Sequence, residues 1–177
     1  LWVNGRYVGY SEDSKLEAEF DLTNYLKPGK NSLVIKIFRW STGSYLECQD
    51  FWRMSGIERD VFLFSQPKTH IKDFNVVSTL DDTYKNGIFK LNVDVTNHTA
   101  ANKEVTVAEG NTPCPVTADG QKSISFEAAL SNVKTWTSEH PNLYRLLISL
   151  KDGEKTSEII PYTVGFRRFE IKPTDQI

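Results

Sequence analysis

The sequence lacks the long apolar runs and the charge excess that mark several common classes of protein. No apolar run approaches ~18 residues, so no segment is long enough to span a bilayer as a helix. The formal net charge of −2 gives no electrostatic attraction to nucleic acid or to an anionic membrane surface. We therefore expect neither nucleic acid nor a membrane as a partner.

Residues that crosslink chains or bind metals are also scarce. The two cysteines, Cys48 and Cys114, are far apart and lack the spacing of a zinc site. We predict two free thiols, because two cysteines make no disulfide framework. The three histidines form no HxH or HxxxH group, so we interpret them as surface or loop residues: His70, His98 and His140.

Methionine occurs only at Met54, and the chain opens at Leu1 inside a segment that is typical of a strand. No secretory signal peptide is recognisable. We interpret the sequence as a piece of a longer polypeptide, so the missing signal leaves the compartment open.

Alternation and turn signals predict an all-β protein. Asn4-Gly5 lies between two short apolar runs and predicts a type I′ hairpin. A turn over residues 26–31 leads into a predicted strand, Ser32–Trp40, and a second strand is predicted from Ile57 to Phe64. Asp21–Tyr25 could form one helical turn.

A second domain is predicted to begin near Pro67. Seven strand signals follow at the short spacing typical of an antiparallel sandwich. They are HIKDFNVVSTL, GIFKLNVDVTN, KEVTVAEG, KSISFEAAL, YRLLISLKDG, SEIIPYTVGF and RRFEI. This number of strands in about 100 residues predicts an immunoglobulin-like sandwich over residues 67–172.

The first 66 residues hold too few strands to close a two-sheet sandwich. Their edges would be unpaired and one apolar face uncovered, which folded proteins avoid. We therefore expect either further polypeptide or a second copy of the chain to cover this face, and a homo-oligomer is predicted.

Three stretches carry a resemblance to a known family. The segment RWSTGSYLECQDFWRMSGIERDV resembles the sugar-binding jelly roll of family 2 glycoside hydrolases, above all that of bacterial β-galactosidases. TWTSEHPNLYRLLISL and VGFRRFEI resemble the immunoglobulin-like domain of the same family. The resemblance implies the C-terminal half of a jelly roll at 1–66, an immunoglobulin-like domain at 67–172, and a linker toward an absent catalytic barrel at 173–177.

The same resemblance implies a function for the parent protein. It would be a retaining β-galactosidase of the bacterial cytoplasm or periplasm, with both catalytic glutamates in the barrel and with Na⁺ and Mg²⁺ as cofactors. The present chain would carry no catalytic residue and no cofactor of its own, and it would meet the β-galactoside substrate only through the parent. It would therefore be inactive alone.

The acidic loop, residues 45–54, admits three interpretations. Glu47 and Asp50 could be a catalytic pair, since retaining glycosidases hold two carboxyls ~5–5.5 Å apart, but the resemblance places catalysis elsewhere. The resemblance instead assigns Asp50 to substrate binding and to a monovalent cation, as one part of an incomplete site. Cys48 stands where relatives often carry an acid.

The third interpretation is structural. Four charged residues could pin the loop through ion pairs, each worth ~0–1 kcal/mol: Arg53, Glu58, Arg59 and Asp60. Two tryptophans near the loop, Trp40 and Trp52, are predicted to be core or corner residues.

In the second domain, specific residues are predicted to shape the sandwich. Four would plug one end: Trp136, Pro141, Leu143 and Tyr144, whose hydroxyl could reach a loop carbonyl. Gly165 would permit a close backbone approach, and Pro161 predicts an edge strand or a bulge.

Two alternatives remain open for the function. The chain could be a free-standing carbohydrate-binding or adhesion module, since fold does not fix function. It could also belong to a β-glucuronidase or β-mannosidase of the same family. The sequon Asn97-His98-Thr99 is a weak indication of glycosylation.

Overall fold

The structure is a computed structural model that describes residues 1–12, 16–47, 55–107 and 112–170. It divides into two compact units, Leu1–Leu63 and Phe64–Ile177. Strands make up most of the regular structure, which confirms the predicted all-β class. No helix in the described ranges is long and apolar enough to cross a membrane.

The first unit is a small antiparallel sheet followed by one helical turn. Its strands pair in the order β2-β1-β3, and its elements are β1 (Trp2–Val3), β2 (Arg6–Tyr7), β3 (Leu33–Val34) and α1 (Ser44–Glu47). Asn4 and Gly5 have φ angles of 52° and 78°. Positive φ at both central residues confirms the predicted type I′ hairpin. The predicted turn near Tyr25 is also present, with its N–H bonded to the Leu22 carbonyl at 2.9 Å.

The longer strands predicted in this unit are wrong. Of Ser32–Trp40 only Leu33–Val34 is paired, and Ile57–Phe64 forms no strand. A strand exists only where a neighbour accepts its hydrogen bonds, and β3 has β1 as its neighbour over two residues. The apolar side chains that would line a sheet face stay exposed, Phe38 by 57% and Phe62 by 78%.

The second unit is a seven-stranded sandwich, as predicted. Its strands are β4 (Thr69–Leu80), β5 (Gly87–Asn97), β6 (Lys103–Val107), β7 (Thr112–Val116), β8 (Gly120–Leu130), β9 (Tyr144–Asp152) and β10 (Lys155–Val164). One sheet has the order β4-β5-β8 and the other β10-β9-β6-β7. Alternate residues of both sheets meet in a core that includes Leu91, Val93, Val105, Ile148 and Leu150.

One predicted strand is replaced by another. RRFEI is no strand over its described residues 167–170, and the sequence analysis missed β7, Thr-Pro-Cys-Pro-Val. Pro113 and Pro115 cannot donate to a ladder, so the segment carries a weak strand signal. The strand is possible because β7 is the outer strand of its sheet. Its Cys114 is buried as a free thiol, as predicted, and burial raises the pKa of that thiol.

The position of Pro161 confirms the prediction made from the sequence. It lies on β10, the other outer strand of the four-stranded sheet, and the β9–β10 register shifts between Thr156 and Glu158. A proline at this position leaves the inner ladder intact.

Tyr144 anchors one end of the sandwich. Its ring meets the Phe166 ring edge-on at a centroid distance of 5.4 Å, and its hydroxyl accepts a hydrogen bond from the Lys134 N–H at 2.8 Å. The partner is therefore a backbone N–H and not the predicted carbonyl. A tyrosine at the start of such a strand, bonded to upstream backbone, is a recurring feature of immunoglobulin-like sandwiches. Leu143, predicted to plug this end, is 56% exposed.

Gly165 makes the predicted close approach. A Cβ at this position would lie 3.1 Å from three atoms of the Trp136 side chain. Arginines hold the segment that follows, where a strand was predicted. Arg167 lies 4.8 Å from the ring centroids of both Trp136 and Phe169, while Arg168 pairs with Asp82 at 2.7 Å. Side-chain stacking and ion pairing thus replace the ladder here.

Candidate functional site

The described part of the acidic loop begins with α1. The Ser44 hydroxyl accepts a hydrogen bond from the Ser41 N–H at 2.9 Å, and the Ser44 N–H donates to the Ser41 carbonyl at 3.2 Å. The Leu46 N–H donates to the Gly43 carbonyl at 2.9 Å. Serine near a helix start satisfies N–H groups that have no partner within the helix. This local bonding explains a helical turn that the sequence analysis did not predict.

A residue remote in sequence contacts the chain just before this turn. One carboxylate oxygen of Glu12, Oε1, accepts hydrogen bonds from both the backbone N–H of Thr42, at 2.8 Å, and its hydroxyl. These bonds lower the pKa of Glu12, and the bond from the Thr42 hydroxyl has the largest effect. The Tyr10 hydroxyl lies beside the same carboxylate, and its pKa is raised by desolvation and then by Glu12.

The main sequence candidates lie outside the described residues. They are Asp50, the predicted sugar and cation ligand, and its neighbours Cys48 and Trp52; of Glu47 only the backbone is described. The catalytic and sugar-binding interpretations of the loop therefore stay predictions. The described residues contain no group of three or more His, Cys, Asp or Glu side chains that could hold a metal ion.

The structural interpretation of the loop lies only partly within the described residues, and for Arg53 it stays a prediction. Glu58, Arg59 and Asp60 are exposed, and in the described part of the chain they form no ion pair. Trp40, predicted to be a core or corner residue, is 52% exposed, and the Arg39 guanidinium lies 5.5 Å from its ring centroid. Arg53 lies outside the described ranges.

The sequon is also explained by the structure, and not as a glycosylation site. Asn97 is fully buried, and its Nδ2 donates to the carbonyls of Ala101 at 2.8 Å and Thr117 at 3.0 Å. Its Oδ1 accepts from the hydroxyls of Thr69, at 3.0 Å, and Thr99, at 2.7 Å, and from the Thr99 N–H at 3.1 Å. A glycan on Nδ2 would replace one of these two N–H donors, and the fully buried amide leaves it no space in the folded unit.

Two of the three histidines come together, which the sequence did not indicate. His70 and His98 have ring centroids 5.8 Å apart, and His70 Nδ1 is hydrogen-bonded to the Pro67 carbonyl at 2.7 Å. Pairing of β4 with β5 joins the two segments. His98 and His140 are exposed, as predicted for surface histidines, and His70 is half-buried.

Glu12 is the residue of this region that sequence reasoning missed. Thirty positions separate it from Thr42, and neither residue belongs to a recognisable motif. Only the folding of the intervening chain reveals the contact. The signal available in the sequence was the run of charges around Glu12, and such runs usually mark solvated surface.

Both units match descriptions of one protein family. Residues 1–67 match "Glycosyl hydrolases family 2, sugar binding domain", and residues 69–167 match "Glycosyl hydrolases family 2". The chain is 41% identical over 186 residues to a β-galactosidase of Priestia megaterium and 41% identical over 182 residues to one of Streptococcus thermophilus. Each alignment covers 97% of this chain but only 18% and 17% of the relative. The chain thus spans about a fifth of the length of these relatives.

Solved structures show the same fold at lower sequence identity. A β-glucuronidase from glycoside hydrolase family 2 matches 96% of this chain and 21% of its own, with a TM-score of 0.80 and 18% identity. An exo-chitosanase of Amycolatopsis orientalis matches 93% of this chain and 22% of its own, with a TM-score of 0.68 and 18% identity. These similarities establish the fold and leave the substrate open.

Proposed function

The chain belongs to the glycosyl hydrolases of family 2, and from this premise we propose that it is the non-catalytic N-terminal portion of a β-galactosidase. The observation that carries the proposal is the similarity to β-galactosidases at about 40% identity over 97% of the chain. The parent enzyme would release terminal β-D-galactose from a β-galactoside, with retention of configuration.

In this proposal the chain supplies a scaffold and one loop of the substrate pocket. Asp50 would accept hydrogen bonds from a sugar hydroxyl and offer an oxygen to a monovalent cation. The family resemblance puts both catalytic glutamates in a barrel that would follow residue 177. The chain alone should therefore hydrolyse nothing, and Na⁺ and Mg²⁺ would be cofactors of the parent.

The exposed apolar side chains of the first unit support the proposal that further polypeptide covers it in the parent protein. Ile37, Phe38 and Phe62 are exposed by 47%, 57% and 78%. Exposure of several large apolar side chains in one small unit points to an interface. In the parent, we expect the missing half of the jelly roll to cover it, and contacts between copies of the parent form the alternative cover.

Two alternatives are less well supported. β-Glucuronidase similarity is seen at 18% identity, a level that speaks for the fold only. A free-standing adhesion module would be expected to resemble other such modules along its whole length. The β-galactosidase relatives match both units together, which favours the enzyme portion.

A substrate panel tests the proposal. The complete parent polypeptide would be assayed with nitrophenyl β-galactoside, β-glucuronide and β-mannoside, and the 177-residue chain in parallel. We expect the parent to prefer the galactoside and the chain to show no turnover. Preference for another glycoside would contradict the galactosidase assignment, and turnover by the chain that is lost in Asp50→Asn would contradict its non-catalytic role. Binding of the isolated chain to a glycan array would favour the adhesion module.

A further inference from the structure

Two imidazole rings lie side by side at one end of the three-stranded sheet β4-β5-β8. His70 on β4 is paired with Thr96 on β5. His98 follows β5, and its N–H donates to the Lys68 carbonyl at 2.8 Å, which continues the pairing of the two segments by one residue. The centroids of the two histidine rings are 5.8 Å apart. His70 and His98 are therefore diagonal neighbours on one face of the sheet, a relation in which long side chains reach each other.

The hydrogen bond of His70 fixes which of its two ring nitrogens is available. Its Nδ1 lies 2.7 Å from the Pro67 carbonyl oxygen, and a carbonyl oxygen can only accept, so Nδ1 carries the proton. In the neutral ring, Nε2 then holds the lone pair. A histidine that binds a metal ion through one nitrogen usually donates its other N–H to a backbone carbonyl, a carboxylate or water. His70 thus already has the tautomer and the outer hydrogen bond of a metal ligand.

The ring of His98 can supply the second nitrogen. It is exposed, and within the described part of the chain neither of its ring nitrogens has a hydrogen-bond partner. An imidazole nitrogen binds Zn²⁺ at ~2.0–2.1 Å, which places the ion about 3.2 Å from the ring centroid, so two rings that share a tetrahedral ion have centroids about 5.2 Å apart. The observed 5.8 Å exceeds this separation by about 0.6 Å. Rotation of the exposed His98 side chain closes a gap of this size.

The backbone beside both histidines is held by buried neighbours. Ile71 follows His70 and belongs to the core, while Asn97 precedes His98 and is fully buried. Side chains alternate along a strand, so these inward neighbours direct both histidines outward. The five hydrogen bonds of the Asn97 side chain fix the end of β5. Little ordering of the protein is then needed when an ion binds, which favours affinity.

From this geometry we propose that His70 and His98 form a chelating site for a divalent transition-metal ion such as Zn²⁺ or Cu²⁺, the kind of ion that imidazole ligands suit. The described residues add no third histidine, cysteine or carboxylate to the pair, so in this proposal water fills the remaining positions on the ion. The site lies in the second unit and does not depend on the proposed function. Its chemistry also differs from that of Na⁺ and Mg²⁺, which take oxygen ligands.

Calorimetric titration of the 177-residue chain with Zn²⁺ tests the site, in protein that carries no histidine tag. We expect saturable binding of Zn²⁺ to the wild-type chain. Loss of an outer hydrogen-bond partner weakens metal sites by about 10–100-fold, so loss of a ligand in His98→Ala should weaken binding by at least about ten-fold. His70→Ala should have the same effect. His140→Ala is the matched control, because His140 is the third histidine of the chain and is likewise exposed, and it should bind Zn²⁺ as wild type does.

The fold of each variant is checked by far-UV circular dichroism. His70→Ala also removes the hydrogen bond to Pro67 and could weaken the fold, whereas His98→Ala removes an exposed ring and leaves that bond in place. His98→Ala therefore keeps the test decisive by itself. Mg²⁺ titrated in place of Zn²⁺ should give no binding at the same concentrations, because an imidazole pair is a poor ligand set for a hard cation.

Nuclear magnetic resonance locates the ion. Substoichiometric Cu²⁺ is paramagnetic and should broaden the backbone amide signals around His70 and His98, while those around His140 stay sharp. No saturable binding of Zn²⁺, or equal affinity in wild type and His98→Ala, would overturn the proposal. Broadening centred away from the two histidines would overturn it as well. These results stand whether or not the parent cleaves galactosides, so they separate the metal site from the proposed function.

Discussion

Replacement of Asn97 tests whether one buried amide holds the sandwich together where three segments meet. Its side chain makes five hydrogen bonds, to Thr69, Thr99, Ala101 and Thr117, and is fully buried. A hydrogen bond contributes about 1 kcal/mol net, and a buried polar group left without a partner costs more. Some of the freed partners can reach water, so Asn97→Ala should lower the free energy of unfolding by about 3–5 kcal/mol.

Asn97→Asp separates the acceptor from the donor function of the amide. The aspartate has almost the same shape and keeps an oxygen for the Thr69 and Thr99 donors. It cannot donate to the Ala101 and Thr117 carbonyls, and its charge would be buried against them. We expect a loss of about 2–4 kcal/mol, nearly as large as that of alanine despite the conserved volume.

The matched control is Asn92, which lies on the same strand but on its exposed face. It accepts one hydrogen bond, from the Ser125 hydroxyl at 2.7 Å. Asn92→Ala should cost about 0.5 kcal/mol or less, as surface substitutions usually do. Urea unfolding followed by far-UV circular dichroism would measure all variants, since most strands belong to this unit. A loss below about 1 kcal/mol in Asn97→Ala would refute the reasoning, given the five bonds on which it is based.

Three further predictions concern the same unit. Gly87→Ala should lower its stability by about 1–3 kcal/mol, because a Cβ would lie 2.8 Å from the Phe166 ring; thermal unfolding with unchanged Tm would contradict this. Hydrogen bonds, first that of the Thr83 hydroxyl, lower the pKa of Asp81 from 3.8 to about 2. The stabilisation that the ionised Asp81 carboxylate gives to the fold should therefore be complete above pH 3.8 and be lost as the pH falls to 2. The Tm difference between wild type and Asp81→Asn should shrink over that range. Tyr144→Phe should cost about 1 kcal/mol in urea unfolding, because it loses one hydrogen bond and keeps its ring contact; a larger loss would show that the hydroxyl does more than accept this bond.

Local chemistry was readable from the sequence where a few adjacent residues decide the conformation. Asn4-Gly5 adopts the predicted hairpin turn because both residues tolerate positive φ. Six of the seven strands described in the sandwich, all except β7, were likewise predicted from alternation, because their inward faces are buried by a second sheet. In these cases the conformation that the local sequence favours is the one that the fold adopts.

Features that depend on distant partners were not readable. Alternation over Ser32–Trp40 predicted a strand, yet only Leu33–Val34 finds a neighbour. The sequon at Asn97 looked like a modification signal, while its amide is in fact bonded to three other segments of the fold. The contact of Glu12 with Thr42 spans thirty residues and leaves no local pattern. For Asp50 the sequence supplied a role by family resemblance, and the role remains a prediction.

The prolines on β7 and β10 have a consequence for self-association. Successive N–H groups of a strand point to opposite sides, so Pro113 and Pro115 leave the same side of β7 without donors at both positions. Pro161 does the same at one position of β10, at the opposite rim of the sheet. A strand from another molecule that tried to extend this sheet would meet carbonyls with too few amides to pair with. The prolines therefore disfavour edge-to-edge pairing of this four-stranded sheet with a strand of another molecule, at both of its outer strands.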